Sequence, residues 1–399
     1  MSKSRFVAWT IWAVASIFYA YQYILRVMPS IMLDDIMGQF HMDAAVFGQF
    51  SGIYYIGYVG MMIPVGIMID KYGPRKGMTA CMLLTAIGSL PIIFTDHWIF
   101  AIIGRFLIGV GSAAAILGAF KIIRMAFAEK HFTRMLSLTV SIGLLGAIYG
   151  GGPVSYLCQG LGYKDVVMVF IVLGLILAAA TYFIVPDMKE EHTSSIMSDI
   201  KEVVGNIRVM CTCVFAGLMV GPLEGFADVW GTVFLKQVYG FDPNISASLP
   251  SMIFMGMCFG SPLLSVFAEK TSALGTIIGA GIVMAASFFV MLTGVVTITA
   301  MGVIFVIVGV CCAYQIIAIY KASTYVSDNV VGLTTAFTNM AIMFFGYIFH
   351  TAIGYTVHNM GGVGVSDALF YGVGIIPAAL TIGVIGFVGL MVTEKGEKK

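Results

Sequence analysis

The sequence predicts an all-α integral membrane protein with twelve transmembrane helices in two six-helix bundles. Three observations predict it. Of 399 residues, 59% are hydrophobic and 10% charged, with a mean hydropathy of +0.98, whereas about a quarter of an ordinary soluble domain is charged. The apolar residues are gathered into runs long enough to cross a bilayer, whose core of about 30 Å needs roughly 20 residues of helix. These runs form two sets of six, on either side of the longest polar segment, residues 187–207.

In chain order the first six runs lie at about 6–28, 44–69, 77–95, 98–124, 135–158 and 164–186. The second six lie at about 208–236, 246–268, 272–294, 298–320, 331–355 and 366–392. An N-terminal bundle over 1–186, a linker over 187–207 and a C-terminal bundle over 208–399 are expected. The linker contains Lys189-Glu190-Glu191-His192 and reads as cytoplasmic with some helical character. The first run is too long for a signal peptide and meets polar loop without a small-residue cleavage site, so the first helix is expected to be its own insertion signal.

Basic residues set the expected orientation. With the N-terminus inside, the cytoplasmic segments hold Lys3, Arg5, Lys71, Arg75, Lys76, Lys121, Arg124, Lys130, Arg134, Lys189, Lys201, Arg208, Lys270, Lys321, Lys395, Lys398 and Lys399. Arg26, Arg105, Lys164 and Lys236 are left for the membrane and the outer face. That asymmetry follows the positive-inside rule and places both termini in the cytoplasm of a bacterial inner membrane. A net charge of +1 gives no reason to expect a nucleic-acid partner.

The second and third runs are joined by Gly66-Ile67-Met68-Ile69-Asp70-Lys71-Tyr72-Gly73-Pro74-Arg75-Lys76. One acid and several bases between two apolar runs make a tight, solvated hairpin. Gly66 and Gly73 allow close approach, Pro74 interrupts the helix, and Asp70 is a hydrogen-bond acceptor for a neighbouring helix N-terminus. Ser265 to Lys270 takes the same place after the eighth run, with Glu269-Lys270 where Asp70-Lys71 stood, which suggests an internal duplication.

The pattern Gly-x-x-x-Asp-Lys-x-Gly-x-Arg-Lys resembles the signature loop of the major facilitator superfamily of secondary transporters. Arg105, in Gly104-Arg105-Phe106-Leu107-Ile108-Gly109-Val110-Gly111-Ser112, is similar to that family's fourth-helix pattern. The resemblance implies the two-bundle fold, alternating access around a site near the midplane, and gating or coupling roles for Asp70, Arg75 and Arg105. A structural Arg105, bonded to helix ends, is the alternative. Gly150-Gly151-Gly152-Pro153 resembles the glycine-proline motif of exporting members, but Ile148 and Tyr156 stand where that pattern has glycine.

Intramembrane charges are expensive and so point to function. Arg26 follows Tyr19, Gln22 and Tyr23; it either snorkels to an interface or faces a cavity, where its planar fork suits a carboxylate or phosphate. Glu224 and Asp228 are four apart in the seventh run, near Gly221, Pro222 and Gly225, which make that helix easy to bend. They either neutralise the arginines or carry protons. The family fold brings the first and seventh helices together at the outer side, which implies Arg26 with Asp228 as a gate and Glu224 as the proton site.

Tyr54, Tyr55 and Tyr58 in the second run, Trp230 in the seventh, Tyr314, Gln315 and Tyr320 in the tenth, and Asn339 in the eleventh are candidates to line a polar cavity, against the alternative of packing. His350 and His358 are weaker candidates for pH sensing near the outer face. The seven cysteines lack metal-ligand spacing, and no disulfide, metal or cofactor is expected. No Gly-x-x-x-x-Gly-Lys-Ser/Thr loop, His-Glu-x-x-His or Gly-x-Ser-x-Gly occurs, so ATP hydrolysis and enzymatic catalysis are not expected. The resulting expectation is a monomeric, proton-coupled importer of a small organic anion. Efflux of amphipathic compounds and facilitated uniport are the alternatives, and a non-transporting receptor is a further rival.

Overall fold

The computed structural model describes residues 3–128, 131–186, 196–327 and 330–397; Lys130, Lys189 to His192, Lys398 and Lys399 lie outside them. Every regular element among the described residues is helical. The chain divides into two compact units, Met1–Thr193 and Ser194–Lys399.

In the first unit the candidate spans are α1 (Phe6–Ser30), α2 (Ala44–Tyr72), α3 (Pro74–Phe94), α4 (Trp98–Ala126), a bent α5 (Arg134–Gly150 with Gly152–Leu161) and α6 (Tyr163–Ile184). In the second they are α7 (Ile207–Val238), α8 (Pro243–Lys270), α9 (Ala273–Met291), α10 (Ile298–Ser323), α11 (Val331–Asn359) and α12 (Ser366–Gly396). By length and hydropathy that is eleven spans among the described residues, or twelve with the two arms of α5, 41° apart, taken as one.

In the first unit α1 is the most buried span, and polar bonds pin it on several sides. Trp12 Nε1 donates to Thr139 Oγ1 of α5 at 2.8 Å, and Tyr21 donates to the Phe170 carbonyl of α6 at 2.9 Å. α2 and α4 cross with their backbones nearly touching: a Cβ on Gly109 would lie 2.0 Å from the Tyr54 carbonyl oxygen. The second unit repeats this crossing, since a Cβ on Gly309 of α10 would lie 2.0 Å from the Ile253 carbonyl of α8. Small residues at such crossings substitute for the hydrophobic drive that lipid does not supply.

The α2–α3 turn is closed by Gly73, at φ 86° and ψ 158°, and Pro74 opens α3 at its first position. That backbone region is essentially restricted to glycine, and proline suits the first helical position because the missing N–H has no intrahelical partner. Gly73→Ala is therefore expected to cost about 1–3 kcal/mol, read as a lower unfolding temperature of the purified protein in detergent.

In the second unit α7 is broken. An α-helical arm, Ile207–Leu218, gives way at Met219 and Val220 to a π-helix, Pro222–Trp230, followed by an α-helical arm, Gly231–Val238. Pro222 has no N–H for the carbonyl four residues back, so the regular ladder stops there. It resumes with the wider i→i+5 pattern, the Gly231 N–H reaching the Phe226 carbonyl. The described part of the polar segment between the runs forms a helix, Ile196–Gly205. It docks through Glu202, whose Oε1 accepts from the Ser327 backbone N–H at 3.0 Å and hydroxyl at 2.8 Å; these bonds hold its carboxyl below the ordinary carboxylate range.

Candidate functional site

Three groups of candidate residues emerge, two in the first unit and one in the second. The first is built on the face of α1 that carries Tyr19, Gln22, Tyr23 and Arg26, three and four apart. Arg26 is 5% exposed, and its guanidinium carbon lies 4.8 Å from the Tyr23 ring centre and 5.5 Å from that of Tyr55 on α2. Tyr54, one residue earlier on α2, donates to Gln22 Oε1 at 2.6 Å and stacks on Tyr58 with ring centres 6.0 Å apart. Tyr19 meets Tyr23 edge to face and packs on α5 at Gly143. Cation–π contacts of this kind stabilise a guanidinium that has left water, by about 0.5–2 kcal/mol each.

Arg105 of α4 is 3% exposed and reaches the last turn of α1. Its two terminal nitrogens donate to the Leu25 carbonyl at 2.5 Å and the Arg26 carbonyl at 2.8 Å, and its guanidinium carbon sits 4.9 Å from the Tyr54 ring centre. Carbonyls in the last turn have no partner within the helix and carry its negative pole, so a cation there satisfies both. These contacts make Arg105 a clamp on the backbone that presents Arg26. A bond to helix ends is the structural alternative that the sequence offers for Arg105; which helix and which carbonyls take it, no residue type marks.

The second group lies at the α2–α3 turn. Asp70 accepts from Lys121 of α4 at 3.0 Å, with the lysine 9% and the aspartate 45% exposed. The partner of Asp70 is thus a side chain on a third helix rather than a helix N-terminus. Arg75 stacks on Tyr182 of α6, 4.2 Å from its ring centre. The sequence marks Lys121 only as a topology charge. Its repeat equivalent, Lys321 on α10, pairs instead with Glu394 of α12 at 2.8 Å, and Tyr325 also donates to that carboxylate. Glu269, the counterpart of Asp70, is exposed. The duplicated lysine has kept its place and changed its acid.

The third group surrounds the break in α7. Glu224 and Asp228 are each 1% exposed and both stand in the π-helix, with Trp230 fully buried at its end. Glu224 is within electrostatic reach of Cys312 and Tyr314 on α10. Tyr314 donates to the Ala216 carbonyl at 2.6 Å. The Val220 N–H turns to Gly217 at 3.2 Å, and the Ala216 carbonyl accepts from the Met219 N–H at 3.1 Å, so the tyrosine hydroxyl is a second donor to it. Tyr314 is therefore a cap on the first arm of α7. Gln315 is 5% exposed, Asn339 half-buried, and Tyr320 64% exposed. His350 is buried on α11, beside Phe349, which packs on Gly221 and Gly225; His358 is exposed. Arg26 belongs to the first unit and Asp228 to the second. An apolar cleft of about 190 Å³ between α1 and α4, lined by Val7, Ile11, Ile122 and Met125 among others, contains none of these residues.

Comparison with known proteins bears on this arrangement. The family model of the Major Facilitator Superfamily matches residues 11–351. The chain is 25% identical over 282 residues to "Uncharacterized transporter YybO" of Bacillus subtilis (strain 168), covering 68% of this chain and 63% of that protein. It is 22% identical over 279 residues to "Probable sulfoacetate transporter SauU" of Cupriavidus necator, covering 64% of each. Over 174 residues it is 30% identical to "Quinolone resistance protein NorB" of Staphylococcus aureus (strain bovine RF122 / ET3-1), covering 42% of this chain and 35% of that protein. The chain thus spans less than two thirds of these relatives' lengths. Among solved structures it resembles the nucleoside transporter NupG, with a TM-score of 0.78 at 12% identity over 96% of this chain and 99% of that one, a likeness of fold.

Proposed function

The chain belongs to the major facilitator superfamily, and we propose that it is a secondary transporter that takes up a small organic anion with protons, by alternating access. It is a multi-pass membrane transport protein and not an enzyme. The observation that carries the anion reading is Arg26: a guanidinium 5% exposed, held on α1 between Tyr23 and Tyr55. Charges at membrane depth persist where they serve a solute or a partner, and the guanidinium fork matches carboxylate, sulfonate and phosphate oxygens two at a time. The similarity to a protein described as a probable sulfoacetate transporter supports the same class. The proton reading rests on Glu224 and Asp228, two buried acids in the wide turn of a broken helix. The bacterial relatives and the basic residues near the α2–α3 turn support an inner membrane with both termini in the cytoplasm.

Efflux is the second reading, supported by the 30% identity to NorB. Uptake into proteoliposomes under an imposed pH gradient separates the two. Labelled small carboxylates and sulfonates are expected to accumulate inside alkaline vesicles. Arg26→Ala is expected to raise KM about 10- to 100-fold, the scale of one charge-assisted interaction of about 1.5–3 kcal/mol. Movement of neutral or cationic amphiphiles alone, untouched by Arg26→Ala, overturns the anion reading in favour of efflux.

A further inference from the structure

Gln22 is 2% exposed and lies one helical turn before Arg26, on the same face of α1. A primary amide carries one acceptor oxygen and a nitrogen with two donor hydrogens. The oxygen is taken, because Tyr54 donates to Gln22 Oε1 at 2.6 Å. The tyrosine ring is itself held in place, stacked on Tyr58 and 4.9 Å from the Arg105 guanidinium carbon. Gln22 therefore offers its nitrogen. Among the described residues the structure records Tyr54 as its partner, and none for Nε2.

An amide N–H held away from bulk water gains from an acceptor, and a ligand that brings one supplies it. Gln22 and Arg26 are four residues apart, which at about 1.5 Å of rise per residue separates their anchor points by about 6 Å along the axis. Both side chains meet α2, at Tyr54 and Tyr55 respectively. The α1 face thus presents two donor groups in series, one charged and one neutral, with the acceptor of the neutral one already occupied.

We infer that the substrate is a bifunctional anion, with a carboxylate or sulfonate head for Arg26 and a second oxygen acceptor about one helical turn away for the Gln22 amide nitrogen. The second acceptor is another carboxylate or a keto or hydroxyl oxygen. Tyr54 is the positioning residue: it does not meet the substrate but stops the amide from turning its oxygen inward. This inference rests on the reading of Arg26 as the anion site.

Competition against uptake of a labelled anion tests it, with acetate, propionate and butyrate set beside malonate, succinate, glutarate and sulfoacetate. Wild type is expected to prefer the bifunctional members about 10- to 100-fold over monocarboxylates of equal length. Gln22→Leu is expected to erase that preference while monocarboxylate affinity stays within about twofold. Gln22→Glu, which keeps the volume and the bond from Tyr54, is expected to weaken dicarboxylates more than Gln22→Leu does, because the new carboxylate repels the second acceptor. Tyr54→Phe is expected to raise KM for bifunctional anions with kcat little changed, and to add nothing on top of Gln22→Leu. Thermal unfolding of each variant confirms folding. Equal competition by both series in wild type, or equal weakening of both by Gln22→Leu, overturns the inference while Arg26 dependence keeps the anion reading. If no anion competes and Arg26→Ala behaves as wild type, both fall.

Discussion

Arg105→Lys is expected to remove most transport and to lower unfolding stability by about 2–4 kcal/mol. The arginine places separate nitrogens on two successive carbonyls, Leu25 at 2.5 Å and Arg26 at 2.8 Å, while 3% exposed. Lysine is a point donor on a flexible stem and does not span both, so one buried carbonyl loses its partner at a cost of about 1–3 kcal/mol, and the ammonium is held less well than the guanidinium it replaces. The functional loss follows from which carbonyl is involved. One acceptor belongs to Arg26 itself, so the backbone from which the proposed anion anchor projects is fixed by Arg105, and a displacement of about 1 Å at a reacting or binding group costs on the order of a hundredfold. Arg105→Leu leaves both carbonyls without a donor and is expected to be worse in both measures. Thermal unfolding in detergent and uptake in proteoliposomes are the readouts. If Arg105→Lys keeps its stability and its exchange activity but loses only uphill accumulation, the clamp is not the main role, and the coupling role implied by the family's fourth-helix pattern takes its place.

The spans were legible because burial in lipid leaves a one-dimensional record: a run of about 20 apolar residues is readable without knowing what it touches. The repeat was legible for a related reason. Glu269-Lys270 stood where Asp70-Lys71 had, and the structure repeats the α2–α4 crossing at α8–α10 through Gly256 and Gly309. Contacts between side chain and backbone left no such record. A structural Arg105 on helix ends is one of its two sequence readings, but that the carbonyls are those of Leu25 and Arg26, and that Tyr314 takes Ala216, is invisible in a sequence because the acceptor is a peptide carbonyl. Lys121 was visible as a charge but not as a partner. Only the fold brings it to Asp70, and the exchange of Glu269 for Glu394 in the second copy means that the repeat alone would have assigned Lys321 to the wrong acid. The bend in α7 could be anticipated from Gly221, Pro222 and Gly225, whereas its conversion into a π-helix could not. Proline dictates that a bond is lost, and the surrounding packing decides how the ladder resumes.

That π-helix sets the second large expectation. Glu224→Gln is expected to abolish accumulation driven by a pH gradient, by tenfold or more, while exchange at equal pH on both sides continues within a few fold of wild type. Glutamine has the shape and hydrogen-bonding capacity of the protonated acid but no proton to release, so it holds the protein in one of the two charge states that a coupled cycle must visit. Substrate passage as such needs only the conformational change, which the neutral state permits. The location makes Glu224 the more sensitive of the two acids. It stands in the first turn after the break, where the Leu223 and Glu224 N–H groups both turn to the Val220 carbonyl, and it is within electrostatic reach of Tyr314, whose hydroxyl caps the first arm at Ala216. A change of charge at Glu224 therefore acts on both sides of the break at once, on the turn that carries it and on the cap that ends the preceding arm. Asp228 stands near the far end of the π-helix, away from the break and the cap, and Asp228→Asn is expected to leave part of the gradient-driven accumulation in place. If Glu224→Gln still concentrates substrate against its gradient, the proton travels elsewhere and Asp228 becomes the first place to look. If both variants accumulate normally, the two acids balance buried positive charge, and transport proceeds without proton coupling through α7.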